Sequence, residues 1–178
     1  MSDDFDFKVM TDNIWQATQN EWMSCWAEQN EHESPYFISL LNKCNPKTSN
    51  LNQVQANGNT SICYVVTPKD ADVALAVVEF VESKSLKQLR VLAVNISPGL
   101  EQSATPSNRD QIDYISWITS TALLGALELT MKGIHSTSLK IRLSYPMTAV
   151  FLRNALKNVG LLSLEMAGNW LTVHIKSH

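Results

Sequence analysis

The residues able to do chemistry are few and scattered along the 178-residue chain. Ser107, Asn108 and Arg109 stand where a long amphipathic run begins. Unpaired backbone N–H groups and the helix dipole favour an anion at such a place, and the Arg109 guanidinium adds a fixed positive charge, with Arg142 and Arg153 as further candidates. Asp110 and Asp113 in the same turn work against it. Glu79 and Glu82 fall on opposite faces of one apolar strand, so one of them could reach a cleft, and a solvated strand edge accounts for both equally well. His32, His135, His174 and His178 show no ligand spacing, and no metal is expected. Cys25, Cys44 and Cys63 are odd in number and lack a CxxC pair, which argues against a disulfide framework or a zinc site. The nucleophile-elbow, Walker and dinucleotide fingerprints are absent.

The bulk numbers suit one soluble domain spanning residues 1–178: 44% of residues are hydrophobic and 17% charged. No apolar run reaches the length needed to cross a bilayer, and the acidic start "MSDDFDFKVM" lacks a signal-peptide core, so the cytoplasm is the expected location. Residues 1–33 carry eight acids and one base, whereas residues 34–178 carry thirteen bases and nine acids. A net of +4 over the larger part could suit an anionic ligand. It is too dilute for nucleic acid, which calls for a dense basic face.

Periodicity supplies the elements. Asp12 caps a helix over 12–29, with Trp15, Trp22 and Trp26 on one face. That face reads first as packing against a sheet and second as a surface for a protein partner. A short helix covers 36–41. The asparagine-rich stretch 42–60 is a loop ending at an Asn57-Gly58 turn. Ile62, Tyr64 and Val66 alternate as a half-buried strand. The continuous apolar run Asp72–Glu82 should be central, with both faces covered. A third strand spans 86–96, and Ser97-Pro98-Gly99 opens a loop to Pro106. A helix follows, capped by Ser107 with Asp110 three residues on, with Ile112, Ile115, Ile118, Ala122, Ala126 and Leu129 on its inner face and Gly133 at its end. A strand over 138–145, a helix from Pro146 to Asn158 and a hairpin, "LLSLEM" with "WLTVHI", complete the chain. The hairpin offers an edge that could pair two subunits as a homodimer. The unit 86–96, 108–132, 138–145 is a right-handed crossover that places its two strands parallel. The expected class is α/β (α+β): a mixed, mostly antiparallel sheet with helices on both faces.

This order resembles the GNAT N-acyltransferase superfamily, in a divergent form. "LRVLAVNISP" is similar to that family's fourth strand, "TALLGALELTMKGIHSTSLKIRL" to its third helix and fifth strand, and "TAVFLRNALKNVGL" to its fourth helix. The resemblance implies an enzyme that moves an acetyl or other acyl group from coenzyme A to the amine of a small molecule or protein, with acyl-CoA as cosubstrate. It implies that the backbone of Ala93, Val94 and Ile96 pairs with the pantetheine arm in a gap between strands 89–96 and 139–145. It further implies that an N–H at a bulge there polarises the thioester carbonyl. The family's pyrophosphate-loop positions fall here on Ile115, Ile118 and Ser120, two of them β-branched and unsuited to left-handed backbone angles. An unbroken helix through 115–120 would exclude the usual cradle and move any phosphate contact to Ser107, Asn108 and Arg109. The family's acidic tyrosine is replaced by Leu156, leaving Tyr145 as the nearest phenol. The alternative reading is a catalytically inactive binding or assembly protein that keeps the fold and does not use CoA in the usual way.

Overall fold

A computed structural model describes residues 4–27, 34–48, 51, 53, 55, 56, 58–103, 108–132, 138–142 and 162–175. The elements are β1 (Phe5–Val9), α1 (Asp12–Ala27), α2 (Ser34–Lys43), β2 (Asn59–Pro68), β3 (Ala76–Ser83), β4 (Gln88–Ile96), α3 (Pro98–Ser103), α4 (Arg109–Met131), β5 (Ser138–Arg142), β6 (Leu162–Ala167) and β7 (Trp170–Ile175). The strands form one seven-stranded sheet in the order β1-β2-β3-β4-β5-β7-β6. Every neighbouring pair is antiparallel except β4 and β5, which run parallel and are joined through α4. This is the mixed, mostly antiparallel sheet expected from the order of elements.

Period-two alternation separates two apolar layers. Ile62, Tyr64, Val66, Val78, Phe80, Leu139 and Val173 share one cluster with Ile118, Ala122 and Ala126 of α4. Their neighbours Cys63, Val65 and Val77 join a second cluster with Ile14 and Trp22 of α1 and Phe37, Leu40 and Leu41 of α2. Helices therefore cover both faces. The valine-rich β3 lies third in the sheet, as a run without alternation requires.

The tryptophan face of α1 turns inward. Trp22 is 1% exposed and its Nε1 donates to the Ala74 carbonyl at 2.9 Å, while Trp15 Nε1 donates to the Leu41 carbonyl at 2.7 Å. Both indoles help pack α1 against the sheet and α2, with Trp15 partly buried. The side chain of Trp26 lies outside the described residues.

Four details correct the sequence reading. β1 pairs along β2 where only an acidic terminus was read. Pro98 starts the short helix α3 inside the segment read as a loop. The cap of α4 is Asn108, whose side chain accepts the Gln111 N–H at 3.3 Å; Ser107 lies outside the described residues. Ile112 is exposed rather than packed. Two successive steps of three residues place it roughly 120° around the helix from Ile118. The helix from Pro146 to Asn158, Gly133 and residues 143–145 lie outside the described residues.

Candidate functional site

Glu79 of β3 stands opposite Ala93, but its neighbour Phe80 stands opposite Val91, so Leu92 is an extra residue in β4. A bulge of this kind bends the strand and re-aims side chains. On the other side, pairing with β5 runs from Gln88↔Ser138 to Val91↔Ile141 and stops. Among the described residues no strand lies beside Leu92–Ile96 on that edge. Ala93, Val94 and Ile96, named from the resemblance, all fall in this open segment, past the bulge.

The start of α4 is a separate place. Asn108, Arg109 and Asp110 are exposed there. From Arg109 the helix continues without a break to Met131. Ser116, Thr119 and Thr121 return hydrogen bonds to the carbonyls of Ile112, Ile115 and Trp117, each four residues back. Ile118 is 0% exposed. The N–H groups of 115–120 are therefore committed to the helix, and side chains fill the space that glycines would leave open. A pyrophosphate cradle of the usual kind cannot form at these positions, as their bulk suggested.

A polar cluster sits beside the bulge on the face covered by α1 and α2. Tyr36 Oη of α2 donates to Asn95 Oδ1 of β4 at 2.6 Å. Asn95 Nδ2 donates to Glu79 Oε1 at 3.2 Å and reaches the Val77 carbonyl at 3.4 Å. Glu79 Oε2 accepts from Lys43 Nζ at 2.5 Å. Asn95 is buried, and the Glu79 side chain is only 13% exposed. Both carboxylate oxygens have donors, which is how a charge is kept at a sheet surface. The hydrogen bond it donates to Glu79 raises the Lys43 ammonium above its ordinary range, against a smaller opposing effect of burial. Burial, helped by the Glu79 charge, pushes the Tyr36 phenol up. The cluster borders a small concavity of about 30 Å³ lined by Lys43, Glu79, Leu92, Cys44 and Cys63 among others, room for about one water. Cys44 and Cys63 are buried free thiols, and the hydrogen bond with Cys44, followed by burial, pushes the Cys63 thiol up.

The structure thus brings Glu79 together with Tyr36, Lys43 and Asn95, which sequence reasoning had not singled out. The signal was present: an asparagine inside the apolar strand "VLAVNI", and Tyr36 and Lys43 seven residues apart on one short helix. Glu82 faces the α4 side and belongs to a different environment. Tyr145 and Arg153 lie outside the described residues, so the phenol the resemblance pointed to is not placed. Among the described residues no group of three or more His, Cys, Asp and Glu side chains could hold a metal ion, and no helix is long and apolar enough to cross a membrane.

No protein-family model matches the chain, and no curated protein matches it in sequence. Comparison with solved structures finds similar folds. A PaiA N-acetyltransferase from Thermoplasma acidophilum, determined in complex with coenzyme A, is 14% identical with a TM-score of 0.44 over 97% of this chain and 99% of that one. The N-acetyltransferase PseH from Campylobacter jejuni is 10% identical with a TM-score of 0.47 over 98% and 99%. A putative ribosomal-protein-serine acetyltransferase from Vibrio cholerae is 15% identical with a TM-score of 0.48 over 97% and 94%.

Proposed function

We propose that this protein is an N-acyltransferase that takes an acetyl or other acyl group from coenzyme A and transfers it to a primary amine of a small molecule or a protein. The observation that carries the reading is the bulged strand β4, which among the described residues has no strand beside Leu92–Ile96 on the β5 side. An amide-bearing arm such as pantetheine can pair with such an edge as an extended peptide does, using backbone groups of Ala93, Val94 and Ile96. A backbone N–H at the bulge would stabilise the oxyanion formed when an amine adds to the thioester carbonyl. Attack requires a neutral amine, and Glu79, opposite Ala93 and held by Asn95, is a base beside that segment.

The phosphates do not fit the middle of α4. The groups left to meet them are the Asn108 and Arg109 end of the helix, where Asp110 and Asp113 oppose an anion. The continuity of α4 across 115–120 favours a second reading, a binding or assembly protein that keeps this sheet without CoA chemistry.

Thermal unfolding separates the two readings. Acetyl-CoA at ~100 times its dissociation constant should add about 2.7 kcal/mol of apparent stability. At roughly 2–4 °C per kcal/mol for a chain of this size, Tm should rise by about 5–11 °C. An unchanged Tm at millimolar acetyl-CoA would exclude the transferase reading and leave the second.

A further inference from the structure

One side chain of the polar cluster is itself a primary amine. Lys43 extends from the last turn of α2 onto Glu79 of β3, and Lys43, Glu79 and Leu92 of the bulge line the same concavity. The carboxylate that receives it is oriented from behind, since Asn95 holds its other oxygen and Tyr36 holds Asn95. Elsewhere the described lysine ion pairs involve carboxylates that are far more exposed. Lys47, four residues beyond Lys43, is the informative comparison: its side chain is 63% exposed against 64% for Lys43, yet its partner Asp12 is 44% exposed where Glu79 is 13% exposed.

We propose that Lys43 is an acyl acceptor within its own chain, held and deprotonated by Glu79 beside the bulge of β4. The inference rests on the acyl-CoA reading above. In the step, Glu79 takes a proton from the Lys43 ammonium along the existing hydrogen bond. The freed Nζ lone pair forms a bond to the thioester carbonyl carbon, and the carbon–sulfur bond breaks with its electron pair going to sulfur. An N-acyl-lysine, the free thiol of coenzyme A and one proton released to solvent are the products, so charge and atoms balance. The product lysine has lost its charge and leaves Glu79 with Asn95 as its remaining donor in the cluster, which opens the carboxylate to an incoming amine. The same geometry therefore makes Lys43 an internal occupant of the position an external acceptor would take.

The test is incubation of the folded protein with acetyl-CoA, followed by mass spectrometry of acetylation at each lysine over time. Base-assisted transfer predicts acetylation at Lys43 on the order of 10²-fold faster than at Lys47. Uncatalysed acylation predicts no preference for Lys43, because the hydrogen bond it donates to Glu79 raises its pKa and thins its neutral form. Glu79→Gln separates the mechanisms by sign: it should slow Lys43 if Glu79 acts as base, and speed it if reactivity merely follows the pKa. If that variant does not fold, wild-type protein in urea takes its place, and the Lys43 preference should vanish on unfolding. Calorimetric titration of the same sample with acetyl-CoA is read alongside. Binding without preferential labelling of Lys43 overturns the inference and leaves the acyl-CoA reading standing, whereas no binding overturns both.

Discussion

Gly125, in the middle of α4, gives a test of the packing between β1 and the crossover helix. A Cβ built there would run into three atoms of the Phe7 ring. Two effects of Gly125→Ala oppose each other. Alanine is worth about 0.8–1 kcal/mol over glycine inside a helix. Overpacking a filled site costs about 1–3 kcal/mol. The structure decides in favour of the second, because the ring has nowhere to go. It stacks on Tyr64 with centroids 4.9 Å apart, meets Phe80 edge-on at 6.3 Å, and its backbone is fixed by the Phe7↔Val66 register. With the overpacking near its upper end, the net loss is about 2 kcal/mol, or a fall in Tm of roughly 4–8 °C. Calorimetry on the purified variant measures it. In a Phe7→Ala background the same change should stabilise by about 1 kcal/mol, since the clash is gone and the helix preference remains. A Gly125→Ala protein as stable as wild type, or an unchanged sign in the Phe7→Ala background, would refute the packing argument.

Other outcomes follow from the same contacts. Trp22→Phe removes a buried hydrogen bond and strands the Ala74 carbonyl, so urea unfolding should show a loss of about 1–3 kcal/mol. Ile118→Gly puts a glycine in the middle of α4 but deletes a fully buried side chain; it should destabilise by more than about 2 kcal/mol and leave acetyl-CoA affinity no higher, as judged by calorimetric titration. The raised values of Tyr36 and Lys43 share one sign: each group holds its proton more tightly in the folded state. Their combined effect on stability is constant below about pH 10 and declines as pH rises above it, and Tyr36→Phe should flatten that alkaline decline in a series of melts. If phosphate contacts are confined to the α4 start, S-acetyl-pantetheine should bind nearly as well as acetyl-CoA, with a difference below tenfold, or about 1.4 kcal/mol.

Much of the sheet could be read from alternation alone. Ile62, Tyr64 and Val66 lie on the α4 side as their spacing requires, and the unbroken apolar run of β3 is central because both of its faces are covered. β1 was legible in principle, since Phe5, Phe7 and Val9 alternate with Asp6 and Lys8, but charge at the terminus masked a five-residue pattern. The polar cluster was harder. Tyr36, Glu79 and Asn95 come from three elements, and their hydrogen bonds span 16 and 59 positions of sequence. Local periodicity carries no information about such pairings. An asparagine amid "VLAVNI" announces that a buried partner must exist without saying which residue supplies it.

The bulge itself leaves a trace of a different kind. Leu89 and Val91 face the α4 side at even spacing, and then Val94 and Ile96 take over that face, so the inward pattern slips by one residue between Val91 and Val94. A strand of strict period two cannot do this, because a single-residue slip exchanges its faces. Only an inserted residue, here Leu92, restores burial on both sides of the slip. The slip coincides with the last pair between β4 and β5. β4 thus changes its inward face where its described pairing with β5 ends, while its pairing with β3 continues to Ile96. The middle of α4, by contrast, is filled core around Ile118 and Ala122. If ligand binding survives in this protein, its affinity must therefore come from strand-edge pairing along β4 rather than from charge neutralisation at the helix. That distinction is measurable as a weak dependence of acetyl-CoA binding on salt concentration, and a steep salt dependence would contradict it.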